Sequence, residues 1–281
     1  MNPPTAWITG AGGLIGSHLV GTAPSDWRVR GLTRNALDLA DFSAVERAFR
    51  QDAPALVVHC AAMSRSPACE QNPPLARKLN VEMTAHLAAL AVEIPFVFFS
   101  TDLVFDGRIG HYDETAMPNP LNVYAETKVA AEQIVLRNPC HTVVRTSLNC
   151  GASPTGDRGF AAEMRLAWQA GRTLNLFTDE FRNPIPAFVT ARAVWELIAH
   201  HAPGLFHLAG SEILSRWQIG QLLVARWPEL NPRLEAASLR DYHGPARPPN
   251  TTLHSAKIQK LLSCPLPGLT EWLAAHPNTP V

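Results

Sequence analysis

Three tyrosines occur in the 281-residue chain, and one of them, Tyr124, stands four residues before Lys128 in the stretch NVYAETKVAAEQ. The run reads as a helix, so the two side chains share one face. A free phenol ionises near pH ~10 and is a poor acid–base group at neutral pH. Moving it toward 7 takes ~4 kcal/mol of preference for phenolate, at ~1.36 kcal/mol per pH unit. A neighbouring lysine ammonium, being a cation, acts in that direction. Alone, such a pair reads as exposed and of little consequence. It gains weight from FVFFSTDLVFDG upstream, where an apolar run ends on Ser100, Thr101 and Asp102. Ligands of open parallel sheets bind beyond the carboxyl ends of the strands, so Thr101 is placed to contact a substrate carbonyl. A hydroxyl, a phenol and an ammonium together can polarise a ketone, protonate its oxygen and hold a sugar hydroxyl.

The elements that must position this set alternate along the first half. Short apolar runs at 6–9, 27–33, 55–61, 96–101 and 141–147 are separated by helical patterns such as FSAVERAFR and NVEMTAHLAALAVE. Strands continuous in apolar residues, with helices between them, argue for a parallel sheet covered on both faces, the doubly wound α/β architecture. The regularity fades after Ser147. FVTARAVWELIAHH (188–201) and GLFHLAG (204–210) read as a helix and strand that return to the sheet. The expectation is a Rossmann domain over 1–147, with 188–210 rejoining it. Residues 148–187 and 211–281 would form a smaller C-terminal substrate lobe.

The first strand runs into GAGGLIG, a G-x-x-G-x-x-G pattern at Gly10, Gly13 and Gly16, and then into a helix. A tight turn needs φ > 0, and a diphosphate must approach backbone N–H groups without a Cβ in the way. The helix N-terminus then faces the negative charge. In this strand–turn–helix context the motif signals dinucleotide binding. An NAD site offers an acid about 20 residues on, to hold the ribose 2′-hydroxyl. Here the second strand ends RVRGLTRN, without an acid, and Thr33 and Arg34 stand where a 2′-phosphate would lie. A guanidinium suits phosphate, so NADP(H) is expected over NAD(H). Asp38 either sits near the adenine or caps the next helix.

Composition sets the outer limits. Hydrophobic residues make up 46% of the chain, and 24 basic residues balance 24 acidic ones. A neutral chain without a basic run argues against nucleic acid or an anionic membrane as the main partner. No apolar run approaches the ~20 residues that span a bilayer, and no leader pattern precedes the first strand, so a cytoplasmic location is expected. Five scattered cysteines without a C-x-x-C read as reduced thiols, and the histidines show no metal-ligand spacing.

TGAGGLIG, LDLAD, VVHCAA, KLNVE, STDLVFDG, NVYAETK and VVRTS occur in the order found in extended short-chain dehydrogenases. The chain most resembles the dTDP-4-dehydrorhamnose reductase branch, to which FRNPIPA and ARPPNTTL also fit. The resemblance implies Tyr124 as proton donor, Lys128 as ribose and phenol partner, and Thr101 as the third catalytic group. It implies a cofactor cradle of Gly10, Gly13, Leu14, Ile15 and Gly16. Thr33, Arg34, Asp38 and Leu39 would lie at the adenosine end, and Ala61, Ala62 and Asn80 along the groove. The implied reaction is NADPH-dependent reduction of a keto group on a nucleotide-linked deoxy sugar, and the family often forms homodimers. Asp102, Asn149, Arg182 and Arg247 are candidate substrate contacts, the two arginines for a diphosphate. The family's asparagine before the alanine pair is replaced by His59–Cys60, which makes His59 either a groove contact or a packed histidine. Where reductases of this branch carry a Trp-containing stretch, the chain reads LNCGAS, and the identity of the sugar is expected to be decided there. Asp102 is followed by Leu103 rather than a second acid, which disfavours sugar dehydration. The alternatives are a non-catalytic NADP-binding subunit resembling that of methionine adenosyltransferase, and an NAD-dependent sugar-nucleotide epimerase.

Overall fold

The structure is a computed structural model and describes residues 3–279. The chain runs β1 (Thr5–Thr9), α1 (Leu14–Gly21), β2 (Arg28–Leu32), α2 (Phe42–Asp52), β3 (Leu56–His59), α3 (Ser66–Gln71) and α4 (Pro73–Arg77). A π-helical turn (Lys78–Glu82) leads into α5 (Met83–Leu90), β4 (Phe96–Thr101), α6 (Val123–Val135) and β5 (Thr142–Thr146). Then come β6 (Asn149–Cys150), α7 (Phe160–Gln169), β7 (Thr173–Phe177), β8 (Phe181–Arg182), β9 (Ile185–Pro186), α8 (Ala187–Ala199) and β10 (Gly204–Leu208). The last elements are β11 (Leu214–Ser215), α9 (Arg216–Arg226), β12 (Arg233–Ala237), α10 (Ala256–Gln259) and α11 (Leu269–Ala275).

Six strands form one parallel sheet in the order β10-β5-β4-β3-β1-β2. Consecutive residues of a strand point to opposite faces. Ile8, Val58, Val97 and Val144 enter one core with Leu19, Val194 and Leu197, while Trp7, Val57, Phe98 and Val143 enter the other with Val45, Leu87 and Ala131. That is why these strands carry uninterrupted apolar runs. The chain leaves β1 on one side for β2 and on the other for β3, so the switch point lies between β1 and β3.

Helix α8 lies against α1, where the Trp195 indole N–H donates to the Leu19 carbonyl at 3.0 Å. β10 then pairs with β5. A third core, with Phe160, Trp168, Leu214, Leu223, Leu269 and Trp272, belongs to the segments outside that sheet. Within it β7 pairs in parallel with β12, 60 residues apart at Thr173 and Arg233. No helix among the described residues is long and apolar enough to cross a membrane.

Candidate functional site

The turn after β1 is built for close approach. Gly10 has φ +67°, and a Cβ there would lie 2.8 Å from the Ala61 nitrogen. A Cβ on Gly16 would lie 2.3 Å from the Gly10 carbonyl oxygen, so strand and helix touch here only because both residues are glycine. Gly13 caps α1 without a side-chain hydrogen bond, which leaves first-turn N–H groups for an anion. Leu14 and Ile15 follow in that first turn. At the end of β2, Thr33 and Arg34 are exposed. Asp38 is exposed too and accepts from the Ala40 N–H at 3.0 Å, while Leu39 is buried against the core that holds Trp7. These residues fit a dinucleotide, with a small cradle for the diphosphate and a cation at the adenosine end.

The loop after β3 carries Ala61 and Ala62, both at least partly accessible. His59 is not a groove contact. It is 1% exposed and bridges Thr9 (2.7 Å) and Thr84 (3.1 Å), and burial with help from the Lys128 charge lowers it to about 3. Asn80 does not reach the groove with its amide either. Its carbonyl accepts from Met63 N–H at 2.8 Å, and its NH₂ donates to Met63 O at 3.1 Å and Thr127 Oγ1 at 2.9 Å. Asn80 therefore ties the loop after β3 to α6, from a π-helical turn that sequence periodicity does not reveal.

Helix α6 starts at Asn122, whose side chain accepts from Ala125 N–H at 3.0 Å. Tyr124 follows in the first turn, 9% exposed, and Lys128 one turn later, 2% exposed. The Lys128 Nζ lies 3.9 Å from the Phe98 ring centroid, and burial lowers it to about 7 against weaker pull from Glu132 and Cys60. Thr101 ends β4, 8% exposed, and its hydroxyl accepts from the Leu103 N–H at 3.2 Å. Sequence reasoning expects the lysine to bring the phenol down. In the protein by itself, burial first and the Asp102 carboxylate second push Tyr124 up, and the Thr101 hydroxyl offsets only part. A phenol held that way keeps its proton, the form a donor needs.

The candidate substrate contacts divide. Asn149 is internal: its NH₂ donates to Thr146 Oγ1 and Ser147 O, both at 3.0 Å, and its carbonyl accepts from Thr190 at 2.6 Å. Cys150 is 1% exposed and lies in the third core. Asn149 thus ties the end of β5 to α8 and Cys150 packs the third core, a different place from the substrate contact expected of Asn149. Arg182 is also internal, 3% exposed, with its guanidinium on Asp102 (3.6 Å), Glu180 (3.1 Å) and Thr251. It holds the site together and is not a free clamp for a diphosphate. Asp102 is 4% exposed and accepts from Ser147 at 2.8 Å and Thr251 at 3.0 Å, beside Arg182. Arg247 differs. It is half-buried, makes a bidentate pair with Glu180 at 2.7 and 2.9 Å, and lies within 5.4 Å of the Phe177 ring centroid and 5.6 Å of that of Tyr242. Ala246 beside it accepts from the Asn122 NH₂ at 3.1 Å, which sets Arg247 next to the start of α6.

Two charged partners escaped the sequence reading. Glu180 is fully buried. Burial opposes its charge, but Arg182, Arg247 and Arg216 hold the carboxyl below its ordinary value. Arg216 opens α9, where the helix dipole disfavours a cation, and that misplacement was a usable signal. Burial lowers it to about 10, with Glu180 opposing, and its guanidinium lies 5.4 Å from the Phe160 ring. No cluster of three metal-ligating side chains occurs among the described residues.

Residues 5–278 match the family described as RmlD substrate binding domain. A probable low-salt glycan biosynthesis reductase (Agl14) of Haloferax volcanii is 31% identical, over 96% of both chains. A dTDP-4-dehydrorhamnose reductase of Sinorhizobium fredii is 30% identical over 94% of this chain and 93% of its own. A dTDP-4-dehydrorhamnose reductase of Bacillus anthracis, solved in complex with NADP, superposes with a TM-score of 0.88. It covers 97% of this chain and 98% of its own at 22% identity, which speaks for the fold.

Proposed function

The chain belongs to the RmlD substrate-binding-domain family, and from that premise we propose that it is an NADPH-dependent reductase of a keto group on a nucleotide-linked deoxy sugar. The observation that carries the reading is the grouping of the Thr101 hydroxyl, the proton-retaining Tyr124 phenol and the Lys128 ammonium at the carboxyl end of β4, in the sheet that carries the glycine turn. NADPH, when bound, supplies the hydride. Gly10, Gly13 and Gly16 admit its diphosphate, and Arg34 meets the 2′-phosphate. Thr101 donates to the ketone oxygen and orients it. Tyr124 gives its proton to that oxygen as negative charge develops. Lys128 holds the ribose hydroxyls.

Residues 1–147 and 188–210 carry the cofactor, and 148–187 with 211–281 grip the sugar nucleotide. Arg247 and Arg216 face its diphosphate, with Phe177 and Tyr242 beside them, while Arg182 braces Asp102. The relatives named as dTDP-4-dehydrorhamnose reductases favour a dTDP-4-keto-6-deoxy sugar among the possible substrates. The purified protein should oxidise NADPH in the presence of such a sugar and form the 4-hydroxy product. Tyr124→Phe should lower kcat by a factor of roughly 10² to 10⁴ while leaving NADPH binding intact. Failure to reduce any member of a panel of 4-keto sugar nucleotides, with both NADPH and NADH, would reject the reading.

A further inference from the structure

His111 and His254 stand side by side outside the site described above. Both are exposed, and their ring centroids lie 4.8 Å apart at an interplanar angle of 48°. Sequence spacing does not show the pair, because the fold makes it: a parallel bridge between Tyr112 and Leu253 sets two distant segments together. Three hydrogen bonds fix the backbone there. Tyr112 N–H donates to Thr252 O at 2.8 Å, His254 N–H to Tyr112 O at 2.7 Å, and His111 N–H to Thr252 Oγ1 at 2.7 Å. Gly110 and His111 are both left-handed, with φ +73° and +51°. Glycine takes that conformation without strain, whereas a histidine adopts it at some backbone cost. Beside the two rings lies a cavity of about 260 Å³, whose wall also includes Asn183, Ser211, Ser255 and Gln259.

We propose that His111 and His254 together bind one divalent transition-metal ion of the Zn²⁺, Ni²⁺ and Cu²⁺ class, each through one ring nitrogen, with water from the cavity completing the coordination. Imidazole suits these ions, whereas Mg²⁺ and Ca²⁺ prefer oxygen ligands. Two imidazoles on one metal, with metal–nitrogen bonds of about 2.0–2.1 Å and a nitrogen–metal–nitrogen angle of roughly 90–110°, have centroids roughly 4.5–5.2 Å apart. The observed 4.8 Å lies inside that range. Simple ring contact covers similar separations, so binding is what distinguishes the two. The described residues offer no group of three histidine, cysteine or acidic ligands, and the site therefore keeps open positions on its cavity side. An ion held there would tie the connection before α6 to the segment after Asn250. Thr251 of that segment donates to Asp102 at 3.0 Å, so the clamp lies directly behind the wall of the candidate site. The unfolded chain does not hold the two histidines together, and binding stabilises the fold by mass action.

Calorimetric titration of the full-length, untagged protein with each ion in turn is the test. One Cu²⁺ or Ni²⁺ should bind per chain, Cu²⁺ the more tightly, and Mg²⁺ should not compete. His111→Asn puts in a residue that also accepts the left-handed backbone, and His254→Gln changes an exposed side chain. Each should weaken binding at least 10-fold, and the double variant should lose little more than either alone. The chain has 11 histidines, so a variant with His200→Gln and His201→Gln serves as the control and should bind as wild type does. The electron paramagnetic resonance spectrum of the Cu²⁺ complex should show two nitrogen donors. Ni²⁺ should raise the Tm of wild type and of the control, but not of His111→Asn or His254→Gln. No binding, binding that survives in both single variants, or a spectrum with one nitrogen donor would overturn the proposal and leave a ring contact only. Should either single variant not fold, the other carries the test. None of these measurements uses a keto sugar or NADPH, so the reductase reading and this one stand or fall separately.

Discussion

Lys128→Met should make the cofactor-free protein more stable while removing its activity. The ammonium is 2% exposed, and burial lowers it to about 7 from an ordinary 10.5. Between those two values the unfolded chain holds a proton that the folded chain has released. Stability therefore rises with pH across that window, and the penalty is complete below it. At ~1.36 kcal/mol per pH unit, a folded value of about 7 makes the charged lysine cost on the order of 4 kcal/mol at neutral pH. Methionine keeps the aliphatic stem and a polarisable contact with the Phe98 ring while removing the charge. A net gain of ~2–4 kcal/mol is expected at pH 7, which corresponds to a Tm higher by roughly 4–8 °C. Urea unfolding of both proteins at pH 7 and pH 9.5 is the assay. The gap should shrink at the higher pH, where wild type no longer carries the charge. His59 feels the Lys128 charge but, lowered by burial to about 3, stays neutral at both pH values. A less stable Lys128→Met at pH 7, or a gap unchanged between the two pH values, would refute the reasoning. NADPH should stabilise wild type more than the variant, because the ribose partner is lost.

Three further outcomes are expected. Arg34→Ala should raise the KM for NADPH about 10-fold, since one charge-assisted hydrogen bond at an exposed site is lost, and leave the KM for NADH nearly unchanged. An equal effect on both cofactors would remove Arg34 from the 2′-phosphate. Glu132→Gln breaks a pair with Arg145 in which both side chains are 3% exposed and joined at 2.7 and 2.9 Å. Stripping one partner from such a pair should cost ~3–5 kcal/mol in urea unfolding, and a loss under ~1 kcal/mol would contradict it. Arg216→Met should raise the KM for the sugar nucleotide without altering that for NADPH, which steady-state kinetics with each substrate varied in turn would read.

The doubly wound sheet was legible because its strands are buried on both faces, so Trp7 and Ile8, or Val57 and Val58, are apolar together while serving different cores. β10 was legible for the same reason, with Phe206 and Leu208 in one core and Leu205 against the other, whereas α8 reads as an amphipathic helix with Phe188 exposed. Four strands of two residues each, β6, β8, β9 and β11, were not, because two residues carry no period. The pairing of β7 with β12 was equally hidden, since RLEAA is largely exposed and its partner lies far off in the chain. At the site, residue types were readable and their partners were not. Arg182 looks like any loop arginine until Thr251 and Asp102 close around it, and Asn149 looks like a substrate contact until Thr190 takes its carbonyl. The histidine at 59 was ambiguous for the same reason, because Thr9 and Thr84 meet it from different elements.

The arginine cluster shows why an acid belongs in a site proposed for an anion. Arg182, Arg216 and Arg247 converge on Glu180, and Asp102 takes a further share of Arg182. Three guanidinium groups without those carboxylates would repel one another and swing toward water, and a ligand would then have to order them at an entropic cost. Buried Glu180 fixes the Arg247 guanidinium by two hydrogen bonds before any ligand arrives, and the rings of Phe177 and Tyr242 fix the plane. Three cations face two carboxylates here, and Glu163 acts on Arg216 as well. Ala246, beside Arg247, has its carbonyl held by the N-cap of the helix bearing Tyr124. The Asn122–Ala246 contact therefore also sets the distance of the arginines from Tyr124. A diphosphate seated on Arg247 and Arg216 would place its attached sugar by reach alone. The span between the arginines and Tyr124, which α6 and the 244–250 segment hold between them, would then limit which sugars fit.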